Sequence, residues 1–352
     1  MEKGTMELSR ICEAILASAD LSGMAGLAVG IMAGDEICTG ARGYRNIESG
    51  ELMDADTIFH CASISKTFTS TAVMKLVEEG KLRLDDKLVD VLPYLSIADK
   101  RCQKIEINHM LSHISGLQDA GELGWKAGLT GADALKNYAF ANEVTDRPML
   151  GEPGNCTPVY SDMAYDLLGL VVQEVSGQPF ETYIKENFFD PAGMKDTTFL
   201  TFERTGGSLS LEDIDKAKIA MPHVKDAGGK IALESMFPYT RQHAPSSTLT
   251  SNVSDLLKWG RYNLDKKAVS ADSYRKMWTE RVDIPDKFAM MGMGWFIRHE
   301  NGHMFVGHEG GDVGFRTSFW ICPECDAALV ILANTTEAPI EPLTESFCMD
   351  IE

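Results

Sequence analysis

Ser63 and Lys66, in the run Ser63-Ile64-Ser65-Lys66, place a hydroxyl and an amine three residues apart. On a helix, residues at that spacing share a face, with about 5–6 Å between their Cβ atoms. A serine hydroxyl is a weak nucleophile until a neighbour accepts its proton. A lysine partly desolvated in a cleft can have its pKa lowered enough to help. A helix N-terminus at Ser63 would add a favourable field for the oxyanion formed in acyl transfer. The same tetrad recurs at Ser273-Tyr274-Arg275-Lys276, among long polar side chains, so the pattern alone does not identify a site. Ser63 differs in opening a long amphipathic stretch.

A second stretch with chemical potential is Gly307-His308-Glu309-Gly310-Gly311, continuing to Gly314. Glycine there lets a strand edge approach an acyl group with no Cβ in the way. A phosphate loop is the competing reading, but the Lys-Ser or Lys-Thr pair that should follow is missing. No Gly-x-Ser-x-Gly occurs, which argues against an α/β-hydrolase elbow, and His299-Glu300-Asn301-Gly302-His303 matches His-Glu-x-x-His only across a hairpin turn, not on the helix a zincin needs. His113, in Ser112-His113-Ile114-Ser115-Gly116, invites a Ser–His reading. His299, His303 and His308 are unevenly spaced and make no convincing metal set. Cys322-Pro323-Glu324-Cys325 has ligand-like spacing but no second pair, and reads as a turn between two strands. No metal and no cofactor is expected.

The elements that must position these residues follow from periodicity. Ala25 to Tyr44 reads as two strands broken at Ala33-Gly34-Asp35-Glu36. Ile64, Phe68, Ala72 and Leu76 fall on one helical face, with Gly80 as the stop. Residues 81–234 alternate short helical patterns with Pro and Gly breaks, the clearest helix running from Ser161 to Ser176 before Gly177. A helix near Ser254 to Leu264 precedes strand-like runs at Gly294–His299, His303–Gly307, Thr317–Cys322 and Ala327–Ala333, with Asn301-Gly302 as a hairpin turn. The order predicts an α/β (α+β) fold: an antiparallel sheet flanked by helices and built from both chain ends. Residues 1–80 plus 235–352 would form that sheet domain, and 81–234 a mainly helical insertion.

With 352 residues, 44% of them hydrophobic, the chain can bury a sizeable core. The 33 basic residues against 52 acidic give a net charge of −19, which repels phosphate backbones and anionic lipid, so nucleic acid is not an expected partner. No apolar run of about 18 residues or more exists to span a bilayer. Glu2, Glu7, Arg10 and Glu13 interrupt any signal-peptide core, and Leu8, Ile11 and Ile15 read as an amphipathic helix. A cytoplasmic location is therefore expected, provided no leader has been trimmed away. Eight scattered cysteines in a chain this large suit reduced, mostly buried thiols.

Several segments together carry a family resemblance. Ser63-x-x-Lys66 resembles the first motif of the serine beta-lactamase and penicillin-binding-protein superfamily, in particular class C beta-lactamases, related esterases and DD-peptidases. Tyr160-Ser161-Asp162 resembles its Tyr-x-Asn, and Gly307 to Gly311 the strand motif reading Lys-Thr-Gly or His-x-Gly. Leu82 to Asp86, Met110 to Leu117, and Leu167 through Gly177 to Met194 are similar to supporting stretches. The likeness spans about Leu21 to Thr335.

The resemblance implies Ser63 as nucleophile, Lys66 and Tyr160 as proton carriers, and the backbone amides of Ser63 and Gly311 as an oxyanion hole. It places His113 in a turn beneath the helical part. His308 stands where the motif lysine would be, steadying charge at the far wall. Glu309 replaces the motif threonine, and Gly310 matches the motif glycine. Asp162 replaces the usual asparagine, either adding negative charge to the site or serving only as a helix N-cap. A partly charged histidine and a glutamate suit anions poorly. The expected substrate is therefore a small neutral ester, an amide or an amine-bearing peptide. A class C-like beta-lactamase or DD-peptidase is the nearer alternative, and an inactive binding or sensor homologue the remoter one.

Overall fold

The computed structural model describes residues 2–119, 131, 133–199, 218–284 and 289–351, with the backbone alone for 2–7 and 350. The fold is mixed α/β, a large antiparallel sheet flanked by helices. Its strands are β1 (Gly26–Ala33), β2 (Glu36–Asn46), β3 (Glu51–Leu52), β4 (Val282–Asp283), β5 (Met290–Met291), β6 (Phe296–Glu300), β7 (His303–Asp312), β8 (Phe315–Cys322) and β9 (Ala327–Ala333). They lie in the order β3-β2-β1-β9-β8-β7-β6-β5-β4. The seam between the chain ends is the β1–β9 pairing, from Leu27 opposite Ala333 to Ala33 opposite Ala327. The β1–β2 turn falls where Gly34, at φ +57°, supplies a left-handed residue.

The two central strands read Gly-Leu-Ala-Val-Gly-Ile-Met-Ala and Ala-Ala-Leu-Val-Ile-Leu-Ala because both sheet faces are covered. Leu27, Val29, Ile31, Leu329 and Ile331 pack with Leu8 and Ile15 of helix α1 (Glu2–Ser18) and Phe347 of the C-terminal helix. Ala28, Met32, Val330 and Leu332 face the other way, toward a larger core. Each fully buried Leu, Ile or Val contributes about 1.5–3 kcal/mol relative to exposure. A Cβ on Gly30 would lie 3.0–3.1 Å from Leu257 and Val253, which shows how closely a helix crosses that face.

Helix α2 (Ser65–Glu78) runs through this larger core and is buried nearly all round. Its apolar face is the expected one, with Phe68 stacked on Trp259 at 4.1 Å between ring centroids. The opposite face is a stripe of hydroxyls that periodicity marks as solvated, yet Thr67, Thr69, Ser70 and Thr71 are fully buried. They are tolerated because they are bonded: Thr69 donates to the Pro245 carbonyl at 2.7 Å, and Thr67 accepts from the Trp259 indole at 3.2 Å. Helix α3 (Asp162–Ser176) packs against α2, capped by the Ser161 hydroxyl and ended by Gly177 at φ +73°. Helix α4 (Val253–Leu264) crosses the sheet, and α5 (Glu341–Asp350), which sequence patterning did not single out, closes its other face. All eight cysteines are free thiols, as expected.

Candidate active site

Ser63 lies in the turn that leads into α2, one residue after Ala62, whose φ is +47°. A non-glycine residue in that region persists only where its surroundings hold it. Here they do. The Cys61 amide donates to the Leu249 carbonyl at 2.7 Å, and Thr317 Oγ1 donates to the Cys61 carbonyl at 2.9 Å. Ser65 Oγ donates to the Ala62 carbonyl at 2.6 Å and accepts from the Leu249 amide at 3.0 Å. The nucleophile candidate is thus fixed by strand β8 on one side and residues 246–249 on the other.

One turn on, the Lys66 side chain is completely buried. Its Nζ donates to Ser63 Oγ at 2.9 Å, to the Ser246 carbonyl at 2.9 Å and to the Asp162 carboxylate. With the Tyr160 phenol also bonded to it, four partners share its three ammonium protons. Burial alone would lower the Lys66 pKa, but the Asp162 carboxylate and the Tyr160 phenol outweigh it and hold the amine well above its ordinary value. This corrects the expectation of a lysine with a lowered pKa. The resting group is a paired ammonium that orients Ser63.

Tyr160 precedes α3 and meets the other two: Lys66 Nζ sits 4.8 Å from its ring centroid, and its phenol is hydrogen-bonded to Ser63 and Lys66. Burial pushes the phenol up to about 12, and the Asp162 charge adds to that, although Lys66 and the two hydrogen bonds pull it down. The cost of desolvating a phenolate thus outweighs the ammonium beside it, which alone would lower the phenol. Asp162 is the first residue of α3 and Ser161 is the cap, so the N-cap reading of Asp162 gives way to an ion pair with Lys66.

The glycine motif lies across the cleft. The β6–β7 pairing stops at Phe296–Gly307, so from His308 onward that edge of β7 has no strand neighbour among the described residues. Gly310 is pressed against the nucleophile turn, its hypothetical Cβ 2.4 Å from the Cys61 carbonyl oxygen and 2.2 Å from Thr317 Oγ1. Gly310, Gly311 and Glu309 line one cleft of about 360 Å³ with Ser63, Tyr160, Asp162 and Phe296. That is the size of a small-molecule site.

His308 does not line this cleft. It is fully buried, packed on Phe296 at 4.4 Å, with its ring centroid 6.2 Å from that of Tyr160. Its place is behind the phenol rather than on a far wall. His113 is not bonded to Ser63 and forms no Ser–His pair. It is stacked on Tyr160 at 4.4 Å, and its Nδ1 accepts the Ser161 amide proton at 3.1 Å. Burial, aided by the Lys66 charge, keeps it neutral. The second tetrad falls apart: Ser273 donates to Glu78, and Lys276 pairs with Asp272 on the surface.

Sequence reasoning missed part of the cleft. Arg316, Thr317 and Ser318 of β8 and Glu341 and Thr344 of α5 line it. The guanidinium of Arg316 lies over Gly311 and donates to the Phe315 carbonyl at 3.1 Å, and no carboxylate among the described residues pairs with it. A signal existed for Arg316, which stands in the strand that returns directly from the glycine motif. None existed for α5.

Residues 13–344 match the family described as Beta-lactamase. The chain belongs to the beta-lactamase family, within the serine beta-lactamase and penicillin-binding-protein superfamily. Penicillin-binding protein 4 of Amycolatopsis lactamdurans is 25% identical over 324 residues, covering 88% of this chain and 80% of that protein. Protein flp of Staphylococcus aureus is 26% identical over 312 residues, 86% of this chain but only 58% of flp, so the chain spans less than two thirds of that relative. Among solved structures, the D-amino acid amidase of Ochrobactrum anthropi aligns with a TM-score of 0.76 at 20% identity, over 97% of this chain and 96% of the amidase. No helix among the described residues is long and apolar enough to cross a membrane.

Proposed function

We propose that this family member is a serine hydrolase that forms an acyl-enzyme on Ser63, acting on a small amide or ester. The observation that carries the reading is the meeting of the Ser63 hydroxyl, the Lys66 ammonium and the Tyr160 phenol in one cleft. In the first step Ser63 Oγ attacks the carbonyl carbon while its proton passes to whichever of Lys66 and Tyr160 is deprotonated. The carbonyl oxygen becomes an oxyanion facing the amides of Ser63 and Gly311. The amine or alcohol leaves with a proton from the same pair, and water then releases the acid. His308 and His113 act on this chemistry through Tyr160, holding its ring from behind.

The substrate argument rests on charge. Glu309 and Glu341 line the cleft, and the Asp162 carboxylate is already engaged by Lys66. An amine-bearing acyl group suits such a wall, and the amidase that shares this fold was captured with L-phenylalanine amide. The Arg316 guanidinium favours a second reading, a substrate with a carboxylate near the scissile bond, as in a beta-lactam or a peptide C-terminus.

Intact mass after exposure to a fluorophosphonate tests the nucleophile. One adduct is expected on the native chain and none on Ser63→Ala; labelling of both would sink the assignment. A panel of p-nitrophenyl esters, D- and L-amino acid amides and a chromogenic cephalosporin separates the two substrate readings. Cephalosporin turnover rivalling that of the amides would favour the second.

A further inference from the structure

At the opposite end of β7 from the cleft, the fold assembles a second cluster. Cys322 ends β8, Cys325 closes the turn into β9, and His303 opens β7. The β7–β8 register pairs Val306 with Ile321, so His303 falls beside the Cys322–Cys325 turn. The imidazole nitrogen and the two sulfurs all lie within 4.8 Å of one another. Sequence spacing reads Cys322-Pro323-Glu324-Cys325 as a turn for lack of a second cysteine pair. The sheet supplies the third donor from a strand about twenty residues earlier.

We propose that His303, Cys322 and Cys325 form a binding site for one thiophilic divalent cation of the zinc class. Two thiolates and an imidazole are the donors such a cation selects, and magnesium or calcium would not. At Zn–S distances of about 2.3 Å, two thiolates on a tetrahedral ion stand roughly 3.8 Å apart, within the spacing the backbone already sets. The turn is also shaped for a bound sulfur, because the Cys325 amide donates to Cys322 Sγ at 3.3 Å. Burial pushes the free Cys322 thiol up to about 12, and this hydrogen bond offsets part of that cost for the thiolate a cation would bind. A fourth donor is near: Glu324 Oε2 is 3.9 Å from Cys322 Sγ while accepting the Met304 amide at 2.9 Å. Water fills that position otherwise.

Binding replaces two S–H protons, released to solvent, with two metal–sulfur bonds, and it needs no oxidant. Cys322 is buried, whereas His303 and Cys325 are half-exposed, so the ion has an open side from which to enter. The site is remote from the chemistry. His303 is eight residues along β7 from Gly311, on the order of 26 Å at 3.3 Å per residue. The cation therefore clasps the β8–β9 turn to β7 and takes no part in hydrolysis.

The test uses the full chain, stripped of metal with a chelator and kept reduced, titrated with cobalt(II) and then with zinc(II). The expected result is saturation at one equivalent, with a near-ultraviolet thiolate-to-cobalt charge-transfer band that zinc abolishes and a higher Tm with either ion. Cys322→Ser and Cys325→Ser should each lose the band, and His303→Ala should weaken binding at least tenfold. Cys322 is a core residue, so a loss of the band in its variant counts only where the variant folds. Cys325→Ser then carries the test, since its far-ultraviolet circular dichroism and ester hydrolysis should match the native chain. No band in the folded, reduced protein, or a band that survives Cys325→Ser, overturns the proposal.

Discussion

The Lys66 ammonium is bonded to the Asp162 carboxylate where helices α2 and α3 meet, with Ser63 Oγ on another of its protons. Lys66 holds its proton above its ordinary value because that carboxylate, with the Tyr160 phenol, outweighs burial, and Tyr160 does so because burial disfavours its phenolate. A reaction that needs either as a base proceeds through a minor deprotonated fraction, which grows tenfold per pH unit below the pKa. Initial rates on an activated ester should therefore give log kcat/KM rising with a slope near one from about pH 6 to about pH 9, with no acidic plateau. A plateau reached by about pH 7 would mean that another group is the base.

Asp162→Asn tests the partner directly. Among the charges acting on Lys66, the Asp162 carboxylate is the largest that raises its pKa; burial works in the opposite direction. Removing it should lower the Lys66 pKa and move the rising limb toward lower pH by at least about one unit. The asparagine oxygen can still accept from Nζ, so the fold should survive. An unshifted profile would separate Asp162 from the proton chemistry.

The framework and the chemistry were not equally legible in the sequence. The strands around the seam and α3 followed from alternation, runs of Val, Ile and Leu, and a cap at each end of the helix, since local physics specifies these. The strand predicted at His303–Gly307 instead continues to Asp312, because glycines weaken the pattern although the β8 partner is there to pair with them. The polar face of α2 misled for a related reason. Hydroxyls read as solvated until partners distant in the chain are known. Ser63, Lys66 and Tyr160 were legible by resemblance. The proton states of Lys66 and Tyr160 were not, because they depend on burial and, for Lys66, on a carboxylate about a hundred residues away.

Tyr160→Phe removes the phenol and leaves the ring that stacks on His113. With packing retained, the melting temperature should change little, while kcat/KM should fall about 10²–10⁴-fold, the range for losing a positioned proton carrier. A fall below tenfold would leave Lys66 as the sole base.

Neighbouring glycines should respond in opposite ways. A Cβ on Gly310 meets a backbone carbonyl at 2.4 Å and Thr317 Oγ1 at 2.2 Å, so Gly310→Ala must push β7 away from the nucleophile turn. A destabilisation of about 1–3 kcal/mol and a large loss of kcat are expected. On Gly311 the Cβ meets only the end of the Arg316 side chain, which can swing aside. Gly311→Ala should melt within a degree or two of the native chain. Equal destabilisation of the two variants would contradict the close approach of β7 to Ser63.

Arg316 decides between the substrate readings, since its guanidinium lines the cleft with no carboxylate partner among the described residues. If a substrate carboxylate lies there, the pair forms a charge-assisted hydrogen bond worth about 1.5–3 kcal/mol, equivalent to roughly ten- to hundredfold in binding. Arg316→Ala should then raise KM by that factor for a cephalosporin or a peptide with a free C-terminus. It should leave KM for a neutral ester nearly unchanged. An amine-bearing amide should bind slightly better, because the cleft loses one positive charge while keeping Glu309 and Glu341. Parallel KM measurements on the three substrate types separate a carboxylate-binding residue from a general packing effect, which would raise all three together.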